Sequence, residues 1–139
     1  MLYVLDACSI IAFLKAEPGG DVVKRLLDQS LTDSSLDLLM HRINLLEIYY
    51  GFYRDDGKER ATEIYNKIKG LPISFYSDVS EELLLESGRL KASYSISLAD
   101  SIALGFAKLN GAQLVTSDHH EFDTLDAAKE VSFLWIRPK

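Results

Sequence analysis

A single cysteine, Cys8, among 139 residues leaves no partner for an internal disulfide and no means of building a multi-cysteine zinc site. That composition fits a reducing compartment, and a cytoplasmic protein is expected. Long apolar runs are also missing. The stretch from Met1 to Leu14 is too short to cross a bilayer, lacks a basic leader and carries Asp6 in its middle, so neither a signal peptide nor a membrane partner is expected. Positive charge is scarce, with 15 Lys and Arg against 21 Asp and Glu and a net charge of −6. This excludes a protein that grips nucleic acid through a broad basic surface. There is no G-x-G-x-x-G and no G-x-x-x-x-G-K-[ST], so the glycine-rich nucleotide cradles are excluded too. No repeat, linker or strongly polar segment interrupts the chain, and only the last few residues are polar enough to lack structure. Residues 1–139 therefore read as one domain, long enough to bury about two-thirds of the surface its unfolded chain exposes.

What is present is an alternation of short apolar runs and amphipathic stretches. The segment Ser97 to Phe122 organises it. Ser97 and Asp100 have the spacing of a helix start before Ile102, Leu104, Phe106 and Ala107, and Asn110-Gly111 is a helix stop. Gln113 to Thr116 then reads as a buried strand delivering Asp118 at its end. Leu2 to Leu5 reads as a central parallel strand ending at Asp6, followed by a helix beginning near Ile10 and a second one capped by Asp21. Further along come a strand from Leu36 to Met40, a helix from Asn44 to Arg54 with Asn44 and Glu47 as a capping pair, and a helix from Lys58 to Lys69. A strand from Ile73 to Tyr76, helices from Ser80 to Tyr94 and His119 to Ala128, and a strand from Val131 to Ile136 complete the chain. Strands alternating with helices predict a parallel sheet covered on both faces with right-handed crossovers.

Four carboxylates fall at the same rim of such a sheet: Asp6, Glu47, Asp100 and Asp118. Each alone has a plain explanation as a helix cap, with Asp118 and Glu121 forming one more pair. Caps do not explain why four such ends should meet. Crowded carboxylates repel, and raised pKa values or bound cations relieve the repulsion. Hard divalent ions, magnesium (Mg2+) or manganese (Mn2+), suit oxygen ligands without a histidine cage and would let an acidic pocket accept a phosphate. Two other phosphate chemistries fit less well. A phosphatase of the haloacid dehalogenase type needs a second acid where this chain has Cys8, and a receiver domain needs paired acids after the first strand.

The segments YVLDACSIIAFLKAEPG, NLLEIYYG and SLADSIALGFAKLNGAQLVTSDHHEFDTL resemble, in that order and spacing, the PIN-domain family of metal-dependent ribonucleases, particularly the VapC-type toxins of VapBC toxin-antitoxin pairs. The resemblance implies a three-layer α/β/α sandwich with a central parallel sheet, and Mg2+- or Mn2+-dependent cleavage of RNA by Asp6, Glu47, Asp100 and Asp118. It also implies an antitoxin partner, a homodimer, and a Thr-x-Asp turn at Thr116-Ser117-Asp118. A housekeeping PIN nuclease and an idle RNA-binding scaffold are the alternatives. Cys8 departs from the serine or asparagine expected two residues after the first acid, where Ser9 is the substitute candidate. His119 and His120 are candidates to touch phosphate, against their simpler reading as exposed loop residues. Asp123 is a candidate outer-shell acid, and Lys15, Arg42, Arg54, Lys58 and Arg60 are candidates to line an RNA path. Tyr49, Tyr50, Phe52 and Tyr53 divide between core and a partner surface.

Overall fold

The sheet is built outward from β1 (Leu2–Leu5), whose apolar run pairs on both edges in a computed structural model that describes residues 1–139. On one side β1 pairs with β2 (Asp37–His41), which pairs with β3 (Ser74–Tyr76). On the other it pairs with β4 (Gln113–Thr116), which pairs with β5 (Phe133–Trp135). Every pairing is parallel and the order is β3-β2-β1-β4-β5. The chain therefore winds one way through β1, β2 and β3, then crosses to start again at β4. This reversal opens a crevice between the carboxyl ends of β1 and β4, the switch point at which open sheets bind ligands.

Helices α1 (Ala7–Leu14), α2 (Gly20–Ser30), α3 (Arg42–Asp56) and α4 (Lys58–Lys69) bury their apolar faces with Tyr3, Leu5, Leu38, Met40 and Val115. Helices α5 (Glu81–Ser93), α6 (Leu98–Leu109) and α7 (His119–Ala127) pack with Val4, Leu39 and Leu114. Neighbouring strand residues thus serve opposite faces, as a period of two requires. The result is the expected three-layer α/β/α sandwich. No helix is long and apolar enough to cross a membrane.

Three helix starts differ from expectation, the first through a local cap and the other two through distant partners. Helix α1 begins at Ala7 instead of near Ile10, because the Asp6 carboxylate caps it by accepting from the Ser9 amide at 2.8 Å. Helix α2 is not capped by Asp21. Its N-cap is Gly19 at φ +94°, where an added Cβ would meet the Ile136 carbonyl oxygen at 2.8 Å, so glycine backbone geometry makes the turn. Helix α3 begins at Arg42 and is capped by His41, not Asn44. His41 Nδ1 accepts from the Ile43 amide at 3.1 Å while Nε2 donates to the Asp78 carbonyl at 3.0 Å, and these two partners select the tautomer. Asn44 is buried within the first turns of α3, and neither polar atom of its side chain has a partner. The start of α6 is as predicted: the Ser97 hydroxyl accepts from the Asp100 amide at 3.1 Å.

Helices α5 and α6 touch through Gly105, where an added Cβ would stand 2.5 Å from Ser87 Oγ and 3.2 Å from Leu83 Cδ1. The Ser87 hydroxyl is buried without a hydrogen-bond partner. Gly105→Ala is expected to lower the melting temperature, since overpacking costs about 1–3 kcal/mol against a helix-propensity gain of at most about 1 kcal/mol. Adding Ser87→Ala removes both the obstruction and an unpaired polar group, so the double variant should melt at or above the parent. Thermal denaturation of the single and double variants checks this. A double variant as unstable as Gly105→Ala would locate the helix spacing elsewhere.

Candidate active site

The crevice between β1 and β4 is floored by two acids on short tethers. Asp6 follows β1 directly and is 2% exposed, so capping α1 also fixes its carboxylate at the switch point. Its Oδ1 accepts from the Ser9 amide, and its Oδ2 accepts from the hydroxyl of Thr116, the last residue of β4. The same Thr116 oxygen accepts from the Asp118 amide at 3.1 Å. One fully buried hydroxyl therefore ties the first acid to the loop bearing the last. Asp118 caps α7 by accepting from the Glu121 amide at 3.1 Å. Asp100 lies in the first turn of α6, and Glu47 lies one turn inside α3, half-buried.

Burial first, and the charges of neighbouring acids after it, raise the carboxyls. Burial pushes Asp6 up to about 7, against the hydrogen bonds from Thr116 and Ser9, and the charge of Asp100 adds to the rise. Burial pushes Asp100 up to about 6, opposed by its bonds to Ser97 and reinforced by Asp118 and Glu121. Glu47 is raised by burial first, then by Asp100 and Asp118. The Cys8 thiol is driven up by burial and then by Asp6, Asp118, Asp100 and Glu47, so it lies in the field of all four and stays protonated. None of the four carboxylates forms an ion pair with a lysine, arginine or histidine. No three His, Cys, Asp or Glu side chains are spaced to share one ion. Hard oxygen donors without cationic partners, Asp6 buried and the other three half-buried, nevertheless have the donor chemistry that suits magnesium or manganese.

The remaining candidates separate. The Ser9 hydroxyl donates to the Asp6 backbone carbonyl at 2.9 Å, so Ser9 reaches the carboxylate only through its amide. His119 is not a free loop histidine: Nδ1 lies 2.7 Å from the Asp123 carboxylate and Nε2 2.9 Å from the Arg137 carbonyl. Both partners only accept, so both ring nitrogens carry hydrogen, and the bond to Arg137 leads the upward shift of its pKa. Its ring stacks on Trp135 at 3.9 Å. Asp123 is thereby engaged by His119 and by Lys139 at 3.3 Å, while the His120 side chain is 93% exposed. The candidate cations do not form one path. Lys15 and Arg54 share a groove with Glu47, Asp55 and Asp56, Arg42 lies in another between α3 and α4, and Arg60 pairs with Glu63. On α3, Leu45, Ile48 and Phe52 are core, whereas Leu46, Tyr50 and Tyr53 are each about half exposed.

An all-parallel α/β/α sandwich with acids gathered at its switch point is the class of protein that fold and site define. Within that class the chain belongs to the PIN domain family, which it matches over residues 3–128. No curated protein matches it in sequence. Among solved structures it is similar to VapBC2 from Rickettsia felis bound to a promoter DNA fragment, at 18% identity and TM-score 0.75, covering 96% of this chain and 98% of that one. VapBC-1 from Haemophilus influenzae gives 17% identity and TM-score 0.73, covering 98% of each chain. VapC20 from Mycobacterium tuberculosis, described as a sarcin-ricin loop cleaving toxin, gives 16% identity and TM-score 0.64, covering 98% of this chain and 99% of that one.

Proposed function

We propose that this chain, as one domain over residues 1–139, is a metal-dependent endoribonuclease hydrolysing RNA phosphodiester bonds, and the toxin of a toxin-antitoxin pair. The observation that carries this reading is Asp6 tied through Thr116 to the loop of Asp118 at the switch point, with Asp100 and Glu47 near enough to feel the charges of their neighbours and no cationic partner for any of the four. These four residues would hold magnesium or manganese, which when bound supplies charge neutralisation and Lewis-acid activation of water. Asp6 keeps its orientation through Thr116 and the Ser9 amide, and Thr116 sets the Asp118 loop against it. Thr116 is thus a positioning residue. The RNA-cleaving activity named for the Mycobacterium neighbour supports RNA as substrate, and the complexes from Rickettsia and Haemophilus support an antitoxin partner; the single cysteine fits a cytoplasmic location. The half-exposed Leu46, Tyr50 and Tyr53 of α3 supply apolar surface for that partner or for a homodimer.

The test is cleavage of single-stranded RNA with magnesium or manganese, with and without excess chelator. Cleavage is expected with either ion and should vanish with chelator. Undiminished cleavage in chelator sinks the metal-dependent reading, and RNA bound but left intact in manganese favours the scaffold.

A further inference from the structure

Two grooves flank the four acids, and their charges differ. The groove beyond Glu47 holds Lys15 and Arg54 against Glu47, Asp55 and Asp56, and Arg54 is bonded to Asp55 at 2.9 Å. On the other flank, past Cys8 and Asp118, lies a cavity of about 410 Å³ walled by Arg137, Lys139, His119 and His120. In a chain of net charge −6, cations outnumber acids along this second wall.

Arg137 is the best-placed of these groups. Its side chain makes one hydrogen bond, from a terminal nitrogen to the Pro18 carbonyl at 3.2 Å, and has no carboxylate partner. Its backbone is held on the sheet: the Ile136 amide donates to the Thr116 carbonyl at 3.1 Å, and His119 Nε2 donates to the Arg137 carbonyl at 2.9 Å. Arg137 thus stands on a fixed backbone and lines the same cavity as Asp118, and its guanidinium has no carboxylate partner. A planar fork of donors suits phosphate oxygens, which it can bind in pairs. Lys139, 82% exposed and paired only with Asp123, adds a second, looser charge.

We propose that this cavity is a backbone-phosphate subsite, in which Arg137, assisted by Lys139, binds a phosphate of the RNA strand next to the one being cleaved. The inference rests on the nuclease reading above. It supplies what the acids lack, a positive anchor bringing a polyanion to an acidic crevice, and it assigns the strand to the Asp118 side of the site. His119 holds the anchor in position through its bond to the Arg137 carbonyl.

The test compares wild type with Arg137→Gln, Arg137→Lys and Lys139→Gln. Binding of a short labelled single-stranded RNA is followed by fluorescence anisotropy without divalent ions at several salt concentrations, and cleavage kinetics are measured in manganese. Arg137→Gln is expected to weaken binding about 10-fold, to flatten the salt dependence by about 0.7 in log–log slope, and to raise KM with kcat within about 2-fold. Arg137→Lys should keep the wild-type slope. Lys139→Gln, at an exposed position that does not endanger folding, should weaken binding about 3-fold in the same direction. If wild type cleaves RNA and both glutamine variants bind and cleave like it, the subsite is overturned and the nuclease reading stands. If wild type neither binds nor cleaves RNA, both fall.

Discussion

Asp6→Asn is expected to abolish RNA cleavage while giving a metal-free protein that melts higher than the parent above about pH 7. Burial pushes the carboxyl up to about 7 in the folded protein, against about 3.8 for an aspartate exposed in the unfolded chain. Between those values the native state holds a proton that the unfolded chain has released, so stability falls as pH rises through that window and stays low above it. An amide cannot ionise and escapes that loss. It also fits the local bonds: its oxygen can accept from the Ser9 amide and preserve the cap, and its NH2 can donate to the Thr116 oxygen. A gain of 1–2 kcal/mol would appear as roughly 3–8 °C. Below about pH 4 the two proteins should melt alike, since Asp6 is then protonated whether folded or not. Thermal denaturation across this pH range in chelator, beside cleavage in manganese, checks both halves. A lower melting temperature for the variant at every pH would make Asp6 a structural cap before anything else.

Glu47→Gln is expected to reduce cleavage by roughly 100-fold or more, beyond the 10–100-fold typical of changes in a metal's outer shell, with stability unchanged or slightly raised. The competing role suggested by local sequence, the return arm of a capping pair with Asn44, is removed by the structure. His41 caps α3 and Asn44 has no side-chain partner. Glu47 makes no hydrogen bond or ion pair that glutamine would break, and its raised pKa comes from burial and the charges of Asp100 and Asp118. The substitution deletes one of these mutually repelling charges and keeps the shape. Asn44→Ala, for which a lost cap would predict about 1 kcal/mol of destabilisation, is not expected to act on the helix end at all. Measuring melting temperature and cleavage rate for Glu47→Gln decides its role, and a fully active variant would take Glu47 out of the candidate ligand set.

Locally encoded elements were legible in the sequence. The span of α4, the Ser97 cap of α6 and the bounds of β1 and β4 follow from apolar periodicity and from bonds between residues three or four apart. Asp6, Asp100 and Asp118 stand at element ends as read, whereas Glu47 lies one turn inside α3 because His41 starts that helix earlier. Caps made by distant partners were not. His41 depends on Asp78, and Gly19 depends on Ile136 pressing against it.

By itself the sequence determined the order of strands and helices and the layering that their apolar faces require, and it offered four carboxylates as candidates. Periodicity and capping are short-range, so a linear reading can recover them. Only the tertiary structure decided how those ends meet. The reversal of strand order at β1 sets Asp6 beside Thr116, 110 residues away, and Thr116 in turn fixes Asp118. Burial at that junction, not any local motif, raises Asp6 and Asp100. The same packing carries Arg137 from the far end of the chain to the cavity that Asp118 also lines, where His119 bonds its carbonyl and the preceding residue, Ile136, bonds Thr116. Desolvation and long-range charge depend on distances in space, and a chain acquires those distances only by folding.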